Sequence, residues 1–352
     1  MSTRKPTIDD VARLSGVGRT TVSRVLNDGP NVREPVRRKV LAAVAALDYR
    51  VNPQARSLAG GGSRVLALVL ASDLDAEPNS FYASALELGA VRECLQSGYQ
   101  LITRHVPQDD PAAIRQIVET VSSQRCQGAI LTPPFSDNAE LIEGLRARGV
   151  HLAAISPGGD GLRIVDGVGI DDEAGGHDIA RHLLNLGHRR IGYLGGIAGH
   201  LSAERRLEGV RRAMRETGLS GETLVVERGD FTFRSGGLIT SRMLDRSPRP
   251  TALICANDDM AAGALSVAHA RGLQVPADLS IAGFDDTPVS AIVWPPLTTV
   301  HQPLKAMGGE AVRLVSSRIG GAQGECFFRT LPHTVVVRES AGQAQETTTS
   351  TT

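Results

Sequence analysis

Residues 7–27 read TIDDVARLSGVGRTTVSRVLN, two short amphipathic helical patterns joined by a turn that contains glycine. A third helical pattern, formed by Val36, Val40, Val44 and Leu47, follows within a few residues. Apolar residues three or four positions apart line one face of a helix, so each pattern has one side to bury. This layout is typical of a helix-turn-helix, whose second helix enters the major groove of DNA.

The first helix has start and stop signals of its own. Thr7 is a favourable N-cap, and Asp10 three positions later resembles the second half of a capping box, with its charge at the positive end of the helix dipole. Gly16 stands where a glycine ends a helix. We therefore expect this helix to begin after Thr7 and to end before Gly16.

The second helix is predicted from about Arg19 to Leu26, with Val22 and Val25 turned inward. Its outer face presents short polar and basic side chains, which suit base edges and phosphates. A third helix is expected from near Pro35, because proline is tolerated in a first turn. The head residues that we expect to contact DNA are Thr7, Arg19, Thr20, Thr21, Ser23, Arg24 and Asn27.

Charge distinguishes the first sixty residues from the rest of the chain. Residues 1–60 contain eleven Lys and Arg against five Asp and Glu, a net charge of +6. The whole chain has 38 of each kind, so the remainder carries a net charge of −6. Neutralisation of phosphates requires a basic surface, whereas a helical bundle that only faces solvent does not. The segregation favours DNA binding over a merely solvated bundle.

The head resembles the LacI-type family of the lactose and galactose repressors. Three segments carry the resemblance, namely residues 7–27, 40–49 and 52–59. In that family the segment after the third helix is a hinge that becomes helical on operator DNA, and its leucine inserts into the central minor-groove step. The resemblance assigns this role to Leu58, with Ala55 and Arg56 beside it.

Two positions of the head depart from the family pattern. Gly18 and Arg33 stand where the family usually has serine, at the start of the second helix and before the third. Glycine is a poorer cap by only roughly a few tenths of a kcal/mol, so the fold expectation stands. Arg19 and Thr20 match positions that vary widely in the family, so they do not reveal the operator sequence.

The composition narrows the class of protein. A length of 352 residues exceeds one typical domain and fits a small head with a large body. No run is long enough to span a bilayer and the N-terminus lacks an apolar signal region, so we expect a cytoplasmic protein without a membrane partner. The sequence shows neither a phosphate-binding loop nor a dinucleotide fingerprint, so no cofactor is expected. The cysteines lack metal-type spacing, which predicts buried free thiols and no metal site, at Cys94, Cys126, Cys255 and Cys326.

From residue 65 onward, short apolar runs alternate with helical patterns. Continuous apolar strands separated by helices indicate parallel sheets that are covered on both faces. Strands are predicted at 65–71, 99–103, 128–132, 152–155, 190–194, 223–226, 252–256 and 280–282, and helices at 81–97, 174–186 and 258–271. The pattern breaks near 164–169 and 295–303, where we expect crossings between two lobes. The body is predicted as two parallel-sheet lobes of the periplasmic-binding-protein type, hinged around a cleft.

The resemblance extends over essentially the whole body. Its most specific blocks are residues 182–191, 255–263 and 283–300. The resulting expectation is a helix-turn-helix domain (1–50), a hinge helix and linker (51–63), a two-lobed effector-binding and dimerisation domain (64–340) and a tail (341–352). The tail is rich in Thr and Gln and is expected to be disordered from about Gln343.

Candidate ligand contacts follow from the positions of polar residues after strands, because the carboxyl ends of parallel strands face the crevice. By resemblance, Arg206, Asn257 and Asp285 match positions that hydrogen-bond effector hydroxyls or polar edges, and Asp171 matches another contact. Asp258 follows the same strand as Asn257 and has the alternative role of a helix cap.

Three aromatic residues are candidates for apolar contact with a sugar ring or a base: Phe81, Phe231 and Trp294. Trp294 has the alternative of a core position, and Phe81 that of interface packing. The family normally has proline in the run that here reads Asn79-Ser80-Phe81-Tyr82. The resemblance therefore does not determine how these residues are arranged on their side of the pocket.

Together these features predict a sequence-specific DNA-binding transcriptional repressor that binds a palindromic operator as a homodimer under allosteric control by a small molecule. The only lysines are Lys5, Lys39 and Lys305, which favours an uncharged mono- or disaccharide over a phosphorylated ligand. A nucleobase-responsive regulator of the co-repressor type, or a sugar-binding protein without regulatory role, remains an alternative. No catalytic residues are predicted, because no histidine pairs with a serine or cysteine in sequence context. No apolar heptad pattern follows the body, which favours a dimer over a tetramer.

Overall fold

The computed structural model of the chain describes residues 6–26, 32–49, 63–72, 81–159, 164–219 and 223–345. The chain divides into two compact units, Met1–Arg64 and Val65–Thr352, called here the head and the body. The hinge residues and one residue of the recognition segment lie outside the described residues, namely Ala55, Arg56, Leu58 and Asn27.

The head contains three helices, α1 (Ile8–Ser15), α2 (Arg19–Leu26) and α3 (Glu34–Ala46). The capping box of α1 is confirmed, because the Asp10 carboxylate accepts hydrogen bonds from the Thr7 backbone N–H at 2.9 Å and from the Thr7 hydroxyl at 2.7 Å. Gly16 has a φ of +65° and ends α1 as predicted. The small core of the head consists of Val11, Val22, Val25, Val40 and Ala43.

The described part of the body contains twelve strands and nine α-helices. The strands are β1 (Val65–Ala71), β2 (Gln100–Val106), β3 (Gly128–Leu131), β4 (His151–Ile155), β5 (Asp166–Gly169), β6 (Ile191–Gly195), β7 (Leu224–Arg228), β8 (Ala252–Cys255), β9 (Ser280–Ala282), β10 (Thr299–His301), β11 (Phe328–Thr330) and β12 (Thr334–Val336). The helices are α4 (Phe81–Ser97), α5 (Ala113–Ser123), α6 (Ala139–Arg146), α7 (Asp172–Asn185), α8 (Leu201–Glu216), α9 (Phe233–Leu244), α10 (Asp258–Ala270), α11 (Pro288–Ile292) and α12 (Leu304–Ile319).

The strands form two parallel sheets, one in each lobe. The sheet of the first lobe has the order β11-β5-β4-β3-β1-β2, and that of the second lobe has the order β7-β6-β8-β9. Strand β1 is apolar along its whole length, and its five central residues are buried, because helices cover both faces of the sheet. A short antiparallel pair of β10 and β12 forms a third sheet. The predicted architecture of two parallel-sheet lobes is confirmed.

Two pairs of neighbouring helices in the body pack closely against each other at glycine residues of the helices. A Cβ atom on Gly89 of α4 would overlap the backbone of Lys305 in α12, and one on Gly176 of α7 would overlap the backbone of Arg206 in α8. Both helix pairs therefore approach more closely than side chains allow. The second contact matters for the cleft, because it fixes the position of the helix that carries Arg206.

The chain crosses between the lobes three times within the described residues. The first predicted crossing needs correction, because residues 166–169 form strand β5 of the first lobe and the crossing begins at Ile170. The second lies in the predicted region around β10. The third, between β11 and β12, was not predicted, because each strand has only three residues and gives no periodic signal.

The end of the body extends further than expected. Ala344 donates its backbone N–H to the carbonyl of Leu186 at 2.8 Å, so the first residues of the segment expected to be disordered pack on the second lobe. Three of the cysteines are buried free thiols as predicted, whereas Cys326 is only half-buried because it lies in the loop before β11. No helix in the described residues is long and apolar enough to cross a membrane.

Candidate ligand-binding cleft and DNA-binding face

A cavity of about 640 Å³ lies between the two lobes of the body. Its walls come from residues at the carboxyl ends of the parallel strands and from the first residues of the helices that follow them. Ligands of open α/β sheets bind at these strand ends. The volume is typical of a small-molecule site.

Arg206 of α8 is the buried cation of the second-lobe wall, with 5% of its surface exposed. Its Nε donates to Oδ1 of Asp172 at 2.8 Å, and its Nη1 donates to the carbonyl of Ala256 at 2.9 Å. Nη1 also lies 3.7 Å from Oδ1 of Asp285. The guanidinium packs over the ring of Phe284, 3.9 Å from its centroid. These contacts fix the orientation of the guanidinium group, and with it the directions of its N–H donors, without a ligand.

Asp285 follows β9 and faces Arg206 across the cavity wall. Burial raises the pKa of this carboxyl to about 7, although Arg206 and the Gln302 side chain oppose the shift. The Gln302 Nε2 donates to Oδ1 of Asp285 at 2.6 Å. The backbone of Asp285 has a φ of +105°, a conformation that favours glycine. Strain of this kind, on the order of 1–3 kcal/mol, is concentrated at functional sites in proteins.

Asn257 and Phe231 form the next part of the wall. Asn257 caps α10 by accepting from the Met260 N–H at 2.9 Å, and its Nδ2 donates to the Phe231 carbonyl at 2.9 Å. Phe231 has a φ of +68°, so the hydrogen bond from Asn257 holds it in a strained conformation. Its ring lies against Gly196, where a Cβ atom would overlap it, and against His200 in an edge-on pair with centroids 4.9 Å apart.

Asp258, next to the cap residue, is almost completely buried. Its Oδ1 accepts from the Thr299 hydroxyl at 2.6 Å, and its Oδ2 accepts from the Thr287 backbone N–H at 2.7 Å. Burial raises its pKa well above the usual value, and the nearby Asp285 raises it further. Asp258 therefore ties the start of α10 to the loop that carries Asp285.

The structure brings four of the predicted ligand residues together: Arg206, Phe231, Asn257 and Asp285 all line the cavity. Phe81, Asp171 and Trp294 are outside this lining. Phe81 is the exposed first residue of α4, and Trp294 is 74% exposed in the loop after α11.

Asp171 is the N-cap of α7 and accepts from the backbone N–H of Ala174 at 3.0 Å. Its neighbour Asp172 is instead the buried partner of Arg206. Successive residues of a helix point about 100° apart, so a shift of one position at a helix start decides which carboxylate faces inward. Sequence periodicity did not resolve that shift.

Tyr82 and His200 are among the cavity residues that the sequence analysis did not name. Tyr82 follows Phe81 on α4, and burial raises the pKa of its hydroxyl, with Asp285 of the other lobe adding to the shift. Its position in the aromatic pair Phe81-Tyr82 was the available signal. His200 is the N-cap of α8, and nothing in the sequence around it marks it as a cavity residue.

Ser72 lines the cavity from the first lobe, and its Oγ lies 2.6 Å from Nδ1 of His105. This serine–histidine pair was not visible in sequence context, because 33 positions separate the two residues. A hydrolytic pair also requires a group that orients the base and donors for an oxyanion. Among the described residues, no carboxylate forms a hydrogen bond with the second ring nitrogen of His105. No group of three or more potential metal ligands is arranged around a metal site in the same part of the chain.

The predicted DNA-binding face lies on α2 of the head. Arg19, Thr20 and Arg24 are exposed there, whereas Thr21 and Ser23 are half-buried. Thr7 is half-buried and takes part in the cap of α1. The exposed side chains form one polar and basic face, opposite the buried side of α2 that packs in the head core.

Comparison with known proteins gives consistent matches for both units. Residues 7–52 match the family described as bacterial regulatory proteins, lacI family, and residues 180–341 match the periplasmic binding protein-like domain. The HTH-type transcriptional regulator DegA of Bacillus subtilis (strain 168) is 33% identical over 338 residues, covering 96% of this chain and 98% of DegA. The HTH-type transcriptional regulator CelR of Thermobifida fusca is 34% identical over 347 residues, covering 96% and 98%.

Solved structures of similar proteins cover nearly the whole chain. A complex of the transcriptional regulator CelR with cellobiose has a TM-score of 0.72 at 32% identity and covers 96% of this chain and 100% of that one. The lac repressor dimer bound to operator and to the anti-inducer ONPF has a TM-score of 0.82 at 30% identity, with the same coverage.

Proposed function

The chain belongs to the LacI family of bacterial regulatory proteins, and we propose that it is a transcriptional repressor whose affinity for a palindromic operator is set by a small molecule in the cleft. The observation that carries the proposal is the combination of two sites in one chain. The exposed face of α2 belongs to a basic head, and the body contains a preorganised polar cavity of about 640 Å³. A sugar-binding protein without a regulatory role does not require the exposed, basic DNA-binding face of the head.

The chemistry of the cavity favours an uncharged sugar as effector. Arg206 supplies a fixed fork of donors, Asp285 supplies acceptor oxygens and Asn257 an amide, a set that suits vicinal hydroxyls. Phe231 adds an apolar face for the C–H side of a sugar ring. The structurally similar CelR was solved with cellobiose. A nucleobase is the second candidate, because a flat ring with polar edges can use the same aromatic wall and the same donors.

DNA binding is proposed to require two copies of the chain. Each protomer places α2 in the major groove of one half-site, as helix-turn-helix dimers do on palindromes. By resemblance, the hinge with Leu58 engages the central minor groove. The lac repressor, which is similar in fold and sequence, was solved as a dimer on its operator. We place the protein in the cytoplasm, where its DNA target is.

The effector acts only as far as it prefers one arrangement of the two lobes over the other. The coupling free energy between two such sites is typically about 1–3 kcal/mol, and it is reciprocal. Rotation of the lobes around the three crossing segments is the movement that the fold allows. The direction of the response, induction or co-repression, is the outcome that the experiment below determines.

The test begins with selection of a duplex from a random pool by the purified full-length chain, followed by fluorescence anisotropy of the selected site against random competitor. Arg24→Ala, on the exposed face of α2, is expected to lose operator binding at least tenfold. Arg13→Ala is the matched control, because Arg13 is an exposed arginine of α1 that pairs with Asp10. No preference for any duplex over the competitor contradicts the proposal.

The cleft is tested separately with a panel of cellobiose, ribose, glucose, hypoxanthine and guanine, measured by thermal shift and by operator release. Arg206→Lys is expected to abolish the response while operator binding persists, because lysine keeps the charge and loses the fixed fork. Arg211→Lys is the matched control, since Arg211 lies on the same helix with 46% of its side chain exposed. A normal response in Arg206→Lys contradicts the assignment of the site.

A further inference from the structure

The third crossing segment, residues 331–333 between β11 and β12, ends in a histidine that is attached to the second lobe. Nε2 of His333 lies 3.1 Å from Oδ2 of Asp178 on α7, and 14% of the His333 side chain is exposed. Rotation of the lobes changes the backbone angles of the few residues in the crossing segments. A contact that fastens one end of a crossing segment therefore limits this rotation.

The contact continues across α7 to α8 as an alternating row of histidines and carboxylates. The second oxygen of Asp178, Oδ1, lies 3.1 Å from Nδ1 of His177. Nε2 of His177 lies 2.9 Å from Oε2 of Glu216, the last residue of α8. His333, Asp178, His177 and Glu216 are called here the histidine–carboxylate row. Because α8 also carries Arg206, the row connects the third crossing segment to the helix that positions the cation of the cleft.

The hydrogen bonds of His177 are complete only when its ring is charged. A neutral imidazole has one N–H donor and one nitrogen with a lone pair, whereas the imidazolium ion has two N–H donors. Both nitrogens of His177 face carboxylate oxygens, so the neutral ring would turn a lone pair toward one of them. Loss of the proton from His177 therefore breaks the row at one point. Loss of the proton from His333 weakens its contact with Asp178, because hydrogen bonds between two charged groups are the stronger ones.

The carboxylates of the row keep their charge at low pH. Burial alone would raise the pKa of Asp178, but hydrogen bonds from His177 and His333 outweigh this effect and hold the pKa below its usual value. The hydrogen bond from His177 is the largest cause that lowers the pKa of Glu216. A carboxylate with a lowered pKa keeps its part of the contact until the solution is strongly acid. Histidine changes its charge between about pH 5 and 8, so the row is complete in mildly acid solution and is lost as the pH rises.

Two arginines beside the row do not titrate in this range. Nη1 of Arg181 lies 3.2 Å from Oε2 of Glu216, and Nε of Arg212 lies 3.8 Å from Oε1 of the same carboxylate. Arg212 also pairs with Glu173 at the start of α7. Because arginine stays charged, these contacts are the same in mildly acid and mildly alkaline solution. The change with pH therefore comes from the two histidines.

Two other histidines on or beside α7 are outside the row. His182 interacts with His188. Nδ1 of His301 in β10 lies 3.0 Å from Oδ2 of Asp286. These groups, and Asp285 in the cleft, are unchanged in variants of the row. Comparison of wild type and variant at the same pH therefore isolates the effect of the row.

We propose that the histidine–carboxylate row is a pH-dependent latch, which fastens the third crossing segment to α7 and α8 in mildly acid solution, releases it in mildly alkaline solution and thereby sets how strongly the sugar acts on operator binding. The inference rests on the proposed function, since the response that the latch limits is the response to the sugar in the cleft. The latch itself requires no ligand and is tested first without one.

The first test follows the charge of the two rings in the full-length chain. Two-bond ¹H–¹⁵N correlation spectra distinguish imidazolium from neutral imidazole for each of the nine histidines, and His177→Gln and His333→Gln identify the two signals. Both rings are expected to be charged at pH 5.5 and neutral at pH 8.5. A ring that keeps one charge state over this range overturns the proposal.

The second test measures amide hydrogen exchange of residues 333–336, with rates corrected for the intrinsic effect of pH. Protection in the wild type is expected to fall about fivefold from pH 6 to pH 8, the size expected for a partly exposed charge pair. His333→Gln is never charged and should show the low protection at both pH values, whereas His333→Arg is always charged and should show the high protection at both. His151→Gln is the matched control, because His151 is an exposed histidine at the start of β4, and it should behave like the wild type.

The third test measures the factor by which a saturating sugar changes operator affinity, with the best-binding sugar among cellobiose, ribose and glucose. At pH 6 this factor should be at least threefold larger in Asp178→Asn than in the wild type, because the released lobes rotate further. At pH 8 the two proteins should have the same factor. Glu208→Gln is the matched control, since Glu208 is an exposed carboxylate of α8 that pairs with Arg211, and it should match the wild type at both pH values.

The outcomes separate this inference from the proposed function. Equal protection of the wild type and His333→Gln at pH 6 overturns the latch and leaves the regulator intact. Equal sugar factors in the wild type and Asp178→Asn at pH 6 overturn its control of the response. If none of the sugars alters operator affinity at either pH, the proposed sugar-responsive regulator fails, while hydrogen exchange still decides whether the latch exists. Thermal unfolding of each variant shows whether a change comes from a loss of fold.

Discussion

Two neighbouring aspartates at the start of α7 provide a sharp test of the cleft. Asp172 is 6% exposed and is the hydrogen-bonded anion of the buried Arg206, while Asp171 faces outward as the helix cap. Asp172→Asn keeps the size of the side chain and removes its charge. Asp171→Asn is the matched control, because asparagine caps a helix as well as aspartate does.

The magnitude follows from the pairing of Arg206. Removal of one partner of a buried ion pair costs about 3–5 kcal/mol, because the other charge is left without compensation. Asp285 remains 3.7 Å from the guanidinium and asparagine still offers an acceptor oxygen, so we expect the lower end, about 3 kcal/mol. For a domain of this size that corresponds to a drop in melting temperature of about 6–12 °C. Asp171→Asn is expected to stay within about 0.5 kcal/mol of the wild type.

The assay is thermal and urea unfolding of the full-length chain followed by circular dichroism, with calorimetry of the best-binding sugar. Asp172→Asn is also expected to weaken the sugar at least tenfold, because the donors of Arg206 lose their fixed orientation. Equal stabilities of the two variants would refute the reasoning. A loss of sugar binding in Asp171→Asn alone would show that Asp171 contacts the ligand, as the family resemblance implies.

Three further predictions concern the cleft and the hinge. Burial raises the pKa of Asp285 from 3.8 to about 7, so its contribution to stability is fully present below about pH 4 and is lost as pH rises from there to 7. In urea unfolding the wild type should lose up to about 1.4 kcal/mol per pH unit over that range relative to Asp285→Asn, and a gain in its place would be inconsistent with the shift. Gly196→Ala should abolish the response to the sugar by displacing the Phe231 ring, whereas Gly195→Ala, whose Cβ has room at 3.4 Å, should respond normally in operator-release assays; identical behaviour of the pair argues against the aromatic wall. Leu58→Ala should weaken operator binding at least tenfold in anisotropy titrations and leave sugar affinity unchanged, and undiminished operator affinity speaks against insertion of the leucine.

The fold was predictable where local signals and burial agree. The capping box at Thr7, the glycine at the end of α1 and the apolar run of β1 each determine their element without help from distant residues. The short strands β11 and β12 were missed because three residues give no pattern, and their pairing depends on segments far away in sequence. Strand β5 was taken for a crossing because Asp166 and two glycines interrupt the apolar pattern.

The site was predictable only in part, for the same physical reason. Asn257 and Asp285 could be named because they follow strands whose ends face the cleft, and Arg206 could be named because the family resemblance assigns it a ligand contact. Asp172 was not named as the partner of Arg206, because the rotation of a helix start depends on tertiary packing. His200 was missed, since its place in the cavity depends on the contact of its ring with Phe231, which forms only in the folded chain.

Linkage between the two units is the most direct test of a sugar-controlled repressor. The measurement is the dissociation constant of the selected operator with and without a saturating concentration of the sugar that gives the largest thermal shift, together with the sugar affinity on free and operator-bound protein. We predict a change of about 5–150-fold in operator affinity and the same factor in sugar affinity, because coupling between sites is reciprocal. Operator affinities that are identical with and without the bound sugar would contradict the proposed control.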